Sequence, residues 1–423
     1  MMSVAAQRSV SRGHLVALQR LRHPSFAIWF PLAVYVATRL VDALFIVIAA
    51  HHQIGLSGIV DNYHVTWPSG AAPDYATVAS NWDGQWYSSI ASHGYPATIP
   101  RDAAGHALQN QWAFYPAYPF VVGGIMAISG LGFIVLAPIL SFLLGAAAVT
   151  VMFRLINQVS GRFAASATVL LTCTFMAAPV LQIAYTESLA LLLVCTGLLL
   201  LHNRRYGWLV PVLVMLALSR AIALAFVPVV VVHGVSRYRR RSVEAFPVPE
   251  RRRVLGLAGL GVAVTGLWPA IAAITTGDPT AYTQTESSWG TTGKLRLLKE
   301  FPAFAWTQGG TVGVVALICI IGLTAALVLR SGARVWGPEV RAWAGFYPLF
   351  LLLATAPGSS SVRFLLLAFP LVWPFPEPAA TRSERRFRMI LIAGLAIVGF
   401  AMQFVWIAQF LVVTGPPGRQ PFP

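Results

Sequence analysis

The sequence predicts an all-α, polytopic membrane protein of about eleven transmembrane or re-entrant helices, within a range of about nine to thirteen. Three observations predict it. Hydrophobic residues fill 57% of 423 positions and charged residues only 10%. The apolar residues fall in blocks near the ~20 residues that cross a ~30 Å hydrocarbon core. The net charge of +16 is gathered in short arginine clusters between those blocks, which is the positive-inside pattern rather than a nucleic-acid-binding surface.

The first apolar block, 26–50, is too long for a signal-peptide core and no small-residue cleavage pattern follows it, so it reads as a spanning helix. Further helices are expected at 113–129, 131–153, 163–185, 187–202, 207–233, 254–275, 306–329, 342–357, 362–376 and 389–414. Arg8, Arg12, Arg20 and Arg22 make residues 1–25 a basic cytoplasmic N-terminus. Arg237, Arg239, Arg240, Arg241, Arg251, Arg252 and Arg253 place a loop at 234–253 in the cytoplasm. The segment 51–111 holds Arg101 alone among Lys and Arg, against Asp61, Asp74, Asp83 and Asp102, and is expected outside. Residues 26–414 then form a single transmembrane domain, with 415–423 as an outer C-terminal tail.

Strict alternation fails twice. A single helix over 207–233 would end outside, yet the arginines after it require the cytoplasm. A break at Ser219-Arg220, with two short arms meeting near the outer face, resolves the conflict. Likewise 113–153 holds two apolar runs where one crossing is needed, so one of them is partial or re-entrant. Non-helical backbone at membrane depth is tolerated only where protein or a watery cavity covers it, so both irregularities point to a cavity opening outward.

Cys173, Cys195 and Cys319 lie in apolar runs without ligand spacing and read as packing residues. His51, His52, His64, His93 and His106 gather in the outer loop, also without ligand-like spacing to acids, so no metal or other cofactor is expected. Of fourteen acidic residues, Glu244, Glu250, Glu339, Glu377 and Glu384 read as solvated cytoplasmic charges beside arginines. Arg39 and Asp42, three apart in the first helix, can pair on one face. Asp42 facing the cavity is the alternative.

Asp83 stands in Asn81-Trp82-Asp83-Gly84-Gln85-Trp86-Tyr87, followed by Ile90 and Gly94-Tyr95-Pro96. Trp82, Trp86 and Ile90 recur every four residues, as one face of an interfacial helix with an aromatic anchor requires. Asp83 and Tyr87 would share the adjacent face, holding a carboxylate at headgroup level. Asp83 as a simple helix N-cap fits the spacing equally well.

The string Trp82 to Tyr87 with Gly94-Tyr95-Pro96 resembles the first-loop signature of the PIG-V family, the second GPI mannosyltransferase family, and its bacterial relatives in the GT-C class. Phe114-Tyr115-Pro116-Ala117-Tyr118-Pro119, Tyr185-Thr186-Glu187-Ser188 and Ser219-Arg220 match in the same order. Ser361-Val362-Arg363-Phe364 before Phe369-Pro370 is a weaker match. Ala221 stands where the family has proline and Phe364 where it has tyrosine. The resemblance implies a GT-C-like fold and transfer of a sugar, mannose, from a polyprenyl-phosphate donor to a glycan or glycolipid acceptor on the outer face of the cell membrane. It implies Asp83 as general base, with Trp82, Trp86, Tyr87, Tyr185, Glu187, Arg220 and Arg363 binding substrates.

The residue types agree with that chemistry. Inverting transfer needs one carboxylate at the acceptor hydroxyl, and a phosphate leaving group needs a cation, for which a planar guanidinium is suited. Arg220 and Arg363 are costly in a membrane segment unless they pair, snorkel or line a cavity. Snorkelling is the plain alternative for both. For Glu187, the alternative is a charge favoured by the dipole at a helix N-terminus. Asp278-Pro279 through Trp289-Gly290 is expected as an outer loop suited to sugar contacts, or as a plain turn. Two other function classes remain open. A lipid-binding scaffold would use the arginines on headgroups, and a transporter would be expected to show an internal repeat that this sequence lacks.

Overall fold

The computed structural model describes residues 25–57, 68–289, 299–415 and 423, with the backbone alone of 59–60 and 63–64. The expectations for residues 1–24 and 416–422, for Asp61 and for the Gly290 end of the polar loop lie outside the described residues. The described residues are mainly helical: α1 (Phe26–Ala50), α2 (Tyr75–Val78), α3 (Asp83–His93), α4 (Ala117–Ser129), α5 (Phe133–Ser160), α6 (Arg162–Cys173), α7 (Glu187–His202), α8 (Tyr206–Ser219), α9 (Ala223–Arg239), α10 (Val248–Thr265), α11 (Leu267–Thr276), α12 (Ala281–Ser288), α13 (Glu300–Leu329), α14 (Gly337–Ala354), α15 (Ser360–Leu365) and α16 (Arg382–Trp406). A two-residue antiparallel pair, Ile59–Val60 with Tyr63–His64, is the only sheet among the described residues.

Among the described residues five spans are long and apolar enough to cross a bilayer unaided: Phe26–Ala50, Phe133–Ser160, Val248–Thr276, Glu300–Leu329 and Arg382–Leu411. Of the two runs in 113–153, the first is the short one. At 13 residues, α4 reaches about 20 Å at 1.5 Å per residue and cannot cross a ~30 Å core alone. Among the buried residues of α7 are Leu191, Val194, Cys195 and Leu198, all without exposed surface. By contrast α13 buries Val328 alone, as a lipid-facing helix would, and it carries Cys319 exposed rather than packed.

The expected break at Ser219-Arg220 is present. α8 ends at Ser219, Arg220 is extended at φ −162°, and α9 begins at Ala223. The helix expected over 163–185 is a correction: it stops at Cys173 and continues as a short 3-10 turn, Ala178–Gln182. The carbonyls freed there are met from other helices. Arg39 donates through Nη2 to the Cys173 carbonyl at 2.6 Å and through Nη1 to that of Ala178. Gln403 donates to the carbonyls of Cys173 and Phe175 at 2.9 and 3.1 Å. The Arg39–Asp42 pair is formed, 2.8 Å apart and buried on both sides, so Asp42 neutralises the guanidinium that holds the break.

Helix ends also shift outward into charged sequence. α9 continues to Arg239 and α10 starts at Val248, so much of the expected loop 234–253 is helical, because arginine and glutamate are good helix formers. α16 begins at Arg382, where the Thr381 hydroxyl accepts the Glu384 N–H at 3.1 Å. The close approach of α1 to α5 requires glycine. A Cβ at Gly145 on α5 would lie 2.2 Å from the Tyr35 hydroxyl of α1, which donates to the Leu181 carbonyl at 2.9 Å.

Candidate functional site

Asp83 is placed by a strained turn. Trp82 sits at φ 57° immediately before α3, a region that costs a non-glycine residue energy. Its indole N–H donates to the Leu411 carbonyl at 2.9 Å, and Asn81 donates to the same carbonyl and to Gln53 at 3.2 and 2.8 Å. Asp83 is therefore the first residue inside the helix, and Trp82 holds the N-cap position. The N-cap reading of Asp83 does not apply.

The aromatic face also differs from expectation. Trp82, Trp86 and Ile90 are all buried, and they face protein rather than a membrane surface. Trp82 lies outside the helix and packs in the main core. Trp86 stacks on Phe114 at 5.7 Å and meets Trp289 edge-on at 5.5 Å.

Four charged side chains from four places in the chain meet at one point. The Asp83 carboxylate lies 2.6 Å from Arg363 Nη1. The same nitrogen is 3.1 Å from Glu187 Oε1, and Arg220 Nη1 is 2.5 Å from that oxygen. Two carboxylates and two guanidiniums balance, with Glu187 as the shared anchor beneath. Glu187 has no exposed surface and the Arg363 side chain is 8% exposed, whereas Asp83 and Arg220 keep 20% and 16%. Asp83 and Arg220 thus present the open side of the cluster.

Tyrosine and threonine groups complete it. The Tyr185 hydroxyl accepts the Asp83 backbone N–H at 3.4 Å, and the Arg363 guanidinium lies 4.9 Å from the Tyr185 ring centroid. Tyr87 donates to the Thr186 hydroxyl at 3.4 Å, which also accepts from Arg220 at 3.3 Å. Phe364, the departure from the tyrosine pattern, supplies a ring 4.6 Å from Arg220 and 5.1 Å from Arg363. Its carbonyl is held by the Tyr347 hydroxyl at 2.8 Å. Ala221 in place of proline leaves Arg220 extended, with the Ile222 N–H turned back on the Arg220 carbonyl at 2.7 Å. Thr186, Phe364 and Tyr347 were not singled out as site residues, and only the matched strings around the first two signalled them.

Burial pushes the Asp83 carboxyl above the ordinary value of 3.8, opposed by Arg363 and reinforced by Glu187. A carboxylate with a raised pKa beside a fixed cation can take a proton from a hydroxyl, and the arginines can hold an anion. Among the described residues no three His, Cys, Asp or Glu side chains are grouped to hold a metal ion. The polar loop forms α12, where Tyr282 meets the Tyr115 hydroxyl at 3.0 Å and Asp278 accepts from Thr280 and Gln284.

Sequence reasoning missed a second buried network. Glu339 is 4% exposed, not a solvated loop charge. It lies 2.6 Å from His233 and 3.4 Å from His202. Tyr206 links His233 at 2.9 Å to Glu250 at 2.7 Å, and Glu250 pairs with Arg237 at 3.3 Å.

No family model and no curated protein matches this sequence. Among solved structures the chain is similar to the oligosaccharyltransferase of Archaeoglobus fulgidus in its apo form, with a TM-score of 0.50 at 11% identity over 94% of this chain and 57% of that one. The fold is similar to that of this oligosaccharyltransferase. The archaeal oligosaccharyltransferase AglB from Archaeoglobus fulgidus, in complex with an inhibitory peptide and a dolichol-phosphate, has a TM-score of 0.48 at 10% identity over 93% of this chain and 57% of that one. The chain spans less than two thirds of the length of these oligosaccharyltransferases. On this framework the ion cluster sits at the ends of α3, α7 and α8 and on α15.

Proposed function

We propose that this chain is a membrane glycosyltransferase that moves a sugar from a polyprenyl-phosphate donor to an envelope glycan or glycolipid acceptor on the outer face of the cell membrane. The observation that carries the reading is the Asp83 carboxylate, partly exposed and sharing one cluster with Arg220 and Arg363. In the proposed step Asp83 takes the proton of the acceptor hydroxyl, whose oxygen attacks the anomeric carbon from the face opposite the phosphate. The bond from that carbon to the phosphate oxygen breaks, its electron pair leaves with the polyprenyl phosphate, and Arg220, aided by Arg363, holds the departing anion. Asp83 must part from Arg363 for this, and incoming phosphate offers the guanidinium a replacement anion.

Mannose as the sugar rests on the PIG-V resemblance of the strings that contain Asp83, Glu187, Arg220 and Arg363. Membranes containing the chain are incubated with polyprenyl-phosphate-mannose and, separately, with polyprenyl-phosphate-glucose, and the envelope glycans of a deletion strain are compared with its parent. The proposal expects mannose transfer, and accumulation of one unextended acceptor in the deletion strain. Transfer from neither donor with unchanged glycans would overturn it. A non-catalytic lipid-binding scaffold is the second reading, favoured by the close Asp83–Arg363 pair that occupies the proposed base.

A further inference from the structure

The opposite end of the bundle carries a second, unrelated groove. α7 runs from Glu187 in the ion cluster to His202, about 24 Å at 1.5 Å per residue, and α8 returns from Tyr206 to Ser219. Between the start of α8 and the facing stretch of α10 lies a groove of about 610 Å³. Arg204, Arg205 and Arg253 stand at its mouth, and Leu257 and Leu260 line it further along α10.

The three arginines are not equivalent. Arg204, held at φ 57° in the tight turn between α7 and α8, is paired with Glu244. Arg205 and Arg253 are exposed and have no carboxylate partner among the described residues. Two guanidiniums free of counter-charge therefore face one opening. Below them the groove turns apolar, and Gly207 and Gly256 leave its walls open, since a Cβ at either meets no atom within 4 Å. Trp208, 68% exposed, stands beside it.

We propose that this groove binds an anionic phospholipid, with its phosphate on Arg205 and Arg253 and an acyl chain lying along Val210, Leu257 and Leu260. The gradient from cation to hydrocarbon runs along the helices, from position 253 to position 260, about 10 Å. That order matches an amphiphile inserted parallel to a membrane-spanning bundle, and basic pockets between helices at a membrane surface recruit anionic headgroups. Inorganic phosphate satisfies the guanidiniums but leaves the apolar length unused, and a zwitterionic lipid fills the length but cancels the charge match.

The test uses the purified full-length chain in neutral detergent, with lipid occupancy read by native mass spectrometry against phosphatidylglycerol, phosphatidylcholine and inorganic phosphate. The wild type is expected to retain phosphatidylglycerol over phosphatidylcholine. Arg205→Gln with Arg253→Gln should cut that preference about thirtyfold, the loss expected of two charges at a membrane surface. The double lysine variant should keep part of it, because charge survives while bidentate geometry does not. Gly256→Phe should lower occupancy by filling the groove, and thermal midpoints confirm that each variant is folded. Equal binding of both lipids, an unchanged preference in the double glutamine variant, or displacement of phosphatidylglycerol by inorganic phosphate would each overturn the proposal.

Discussion

Glu187→Gln is the substitution that most sharply separates the roles of the two carboxylates. Glu187 has no exposed surface and anchors both guanidiniums through one oxygen, at 2.5 Å to Arg220 and 3.1 Å to Arg363. Without its charge, Asp83 still neutralises Arg363, and Arg220 becomes the uncompensated ion. Breaking a buried pair costs about 3–5 kcal/mol. Arg220 keeps 16% of its surface and can recover some hydration, so the lower end, about 3 kcal/mol, is expected. The slope is about 2–4 °C per kcal/mol for chains of some 200 residues and about half that for a chain twice as long, so the thermal midpoint should fall by about 3–6 °C. Activity should fall as well, because Arg363 loses its anchor and is held by Asp83 alone, which makes the proposed base harder to free. The assay is a double-mutant cycle: midpoints and transfer rates for Glu187→Gln, Arg220→Gln and the pair. Removing the orphaned cation should return part of the lost stability to the double variant, a coupling of about 1–3 kcal/mol. Additive losses, or a Glu187→Gln protein as stable and active as the wild type, would refute the anchoring role.

Four further outcomes follow from the same geometry. Arg39→Ala should lower the thermal midpoint more than a surface substitution does, and Arg39→Lys should rescue little, because one ammonium cannot span the carbonyls of Cys173 and Ala178 as the planar guanidinium does. Gly145→Ala places a Cβ 2.2 Å from the Tyr35 hydroxyl, so it should destabilise by about 1–3 kcal/mol in thermal unfolding, and Tyr35→Phe should relieve part of that overpacking. The transfer rate should fall on acidification, because the base must be ionised, with the limb above the ordinary carboxylate value of 3.8 since burial raises the Asp83 pKa; a limb below it would contradict the burial argument. Asp74→Cys should react with an impermeant thiol reagent in intact cells and Glu244→Cys should not, in a background where the exposed Cys319 is replaced; the reverse pattern would invert the proposed sidedness.

How much of this was legible depended on whether a residue's partner left a local trace. The break at Ser219-Arg220 was readable because arginines bound the apolar run 207–233 at both ends, which one unbroken spanning helix cannot satisfy. Asp83 and Glu187 were readable because carboxylates are scarce and each opens a helix after an aromatic or apolar stretch. The break after Cys173 was not. Pro179 is its main local mark, and the groups that satisfy it, Arg39 and Gln403, lie 134 and 230 residues away. Glu339 looked solvated for the same reason, since His202 and His233 are 137 and 106 residues distant. Trp82 was placed on a helical face by spacing alone, whereas its positive φ depends on the Leu411 carbonyl from the far end of the chain.

The central claim is that Asp83 removes the acceptor proton, and the rate of Asp83→Asn tests it most directly. Asparagine keeps the volume and can still face Arg363, but it cannot serve as a base at neutral pH. With polyprenyl-phosphate-mannose as donor and the acceptor that accumulates in the deletion strain, the variant should transfer about 10²- to 10⁴-fold more slowly, with expression retained and a thermal midpoint lowered no more than that of Glu187→Gln, because Glu187 still faces Arg363. A folded Asp83→Asn protein that transfers at the wild-type rate would contradict the account and leave the cluster as a structural or lipid-holding element.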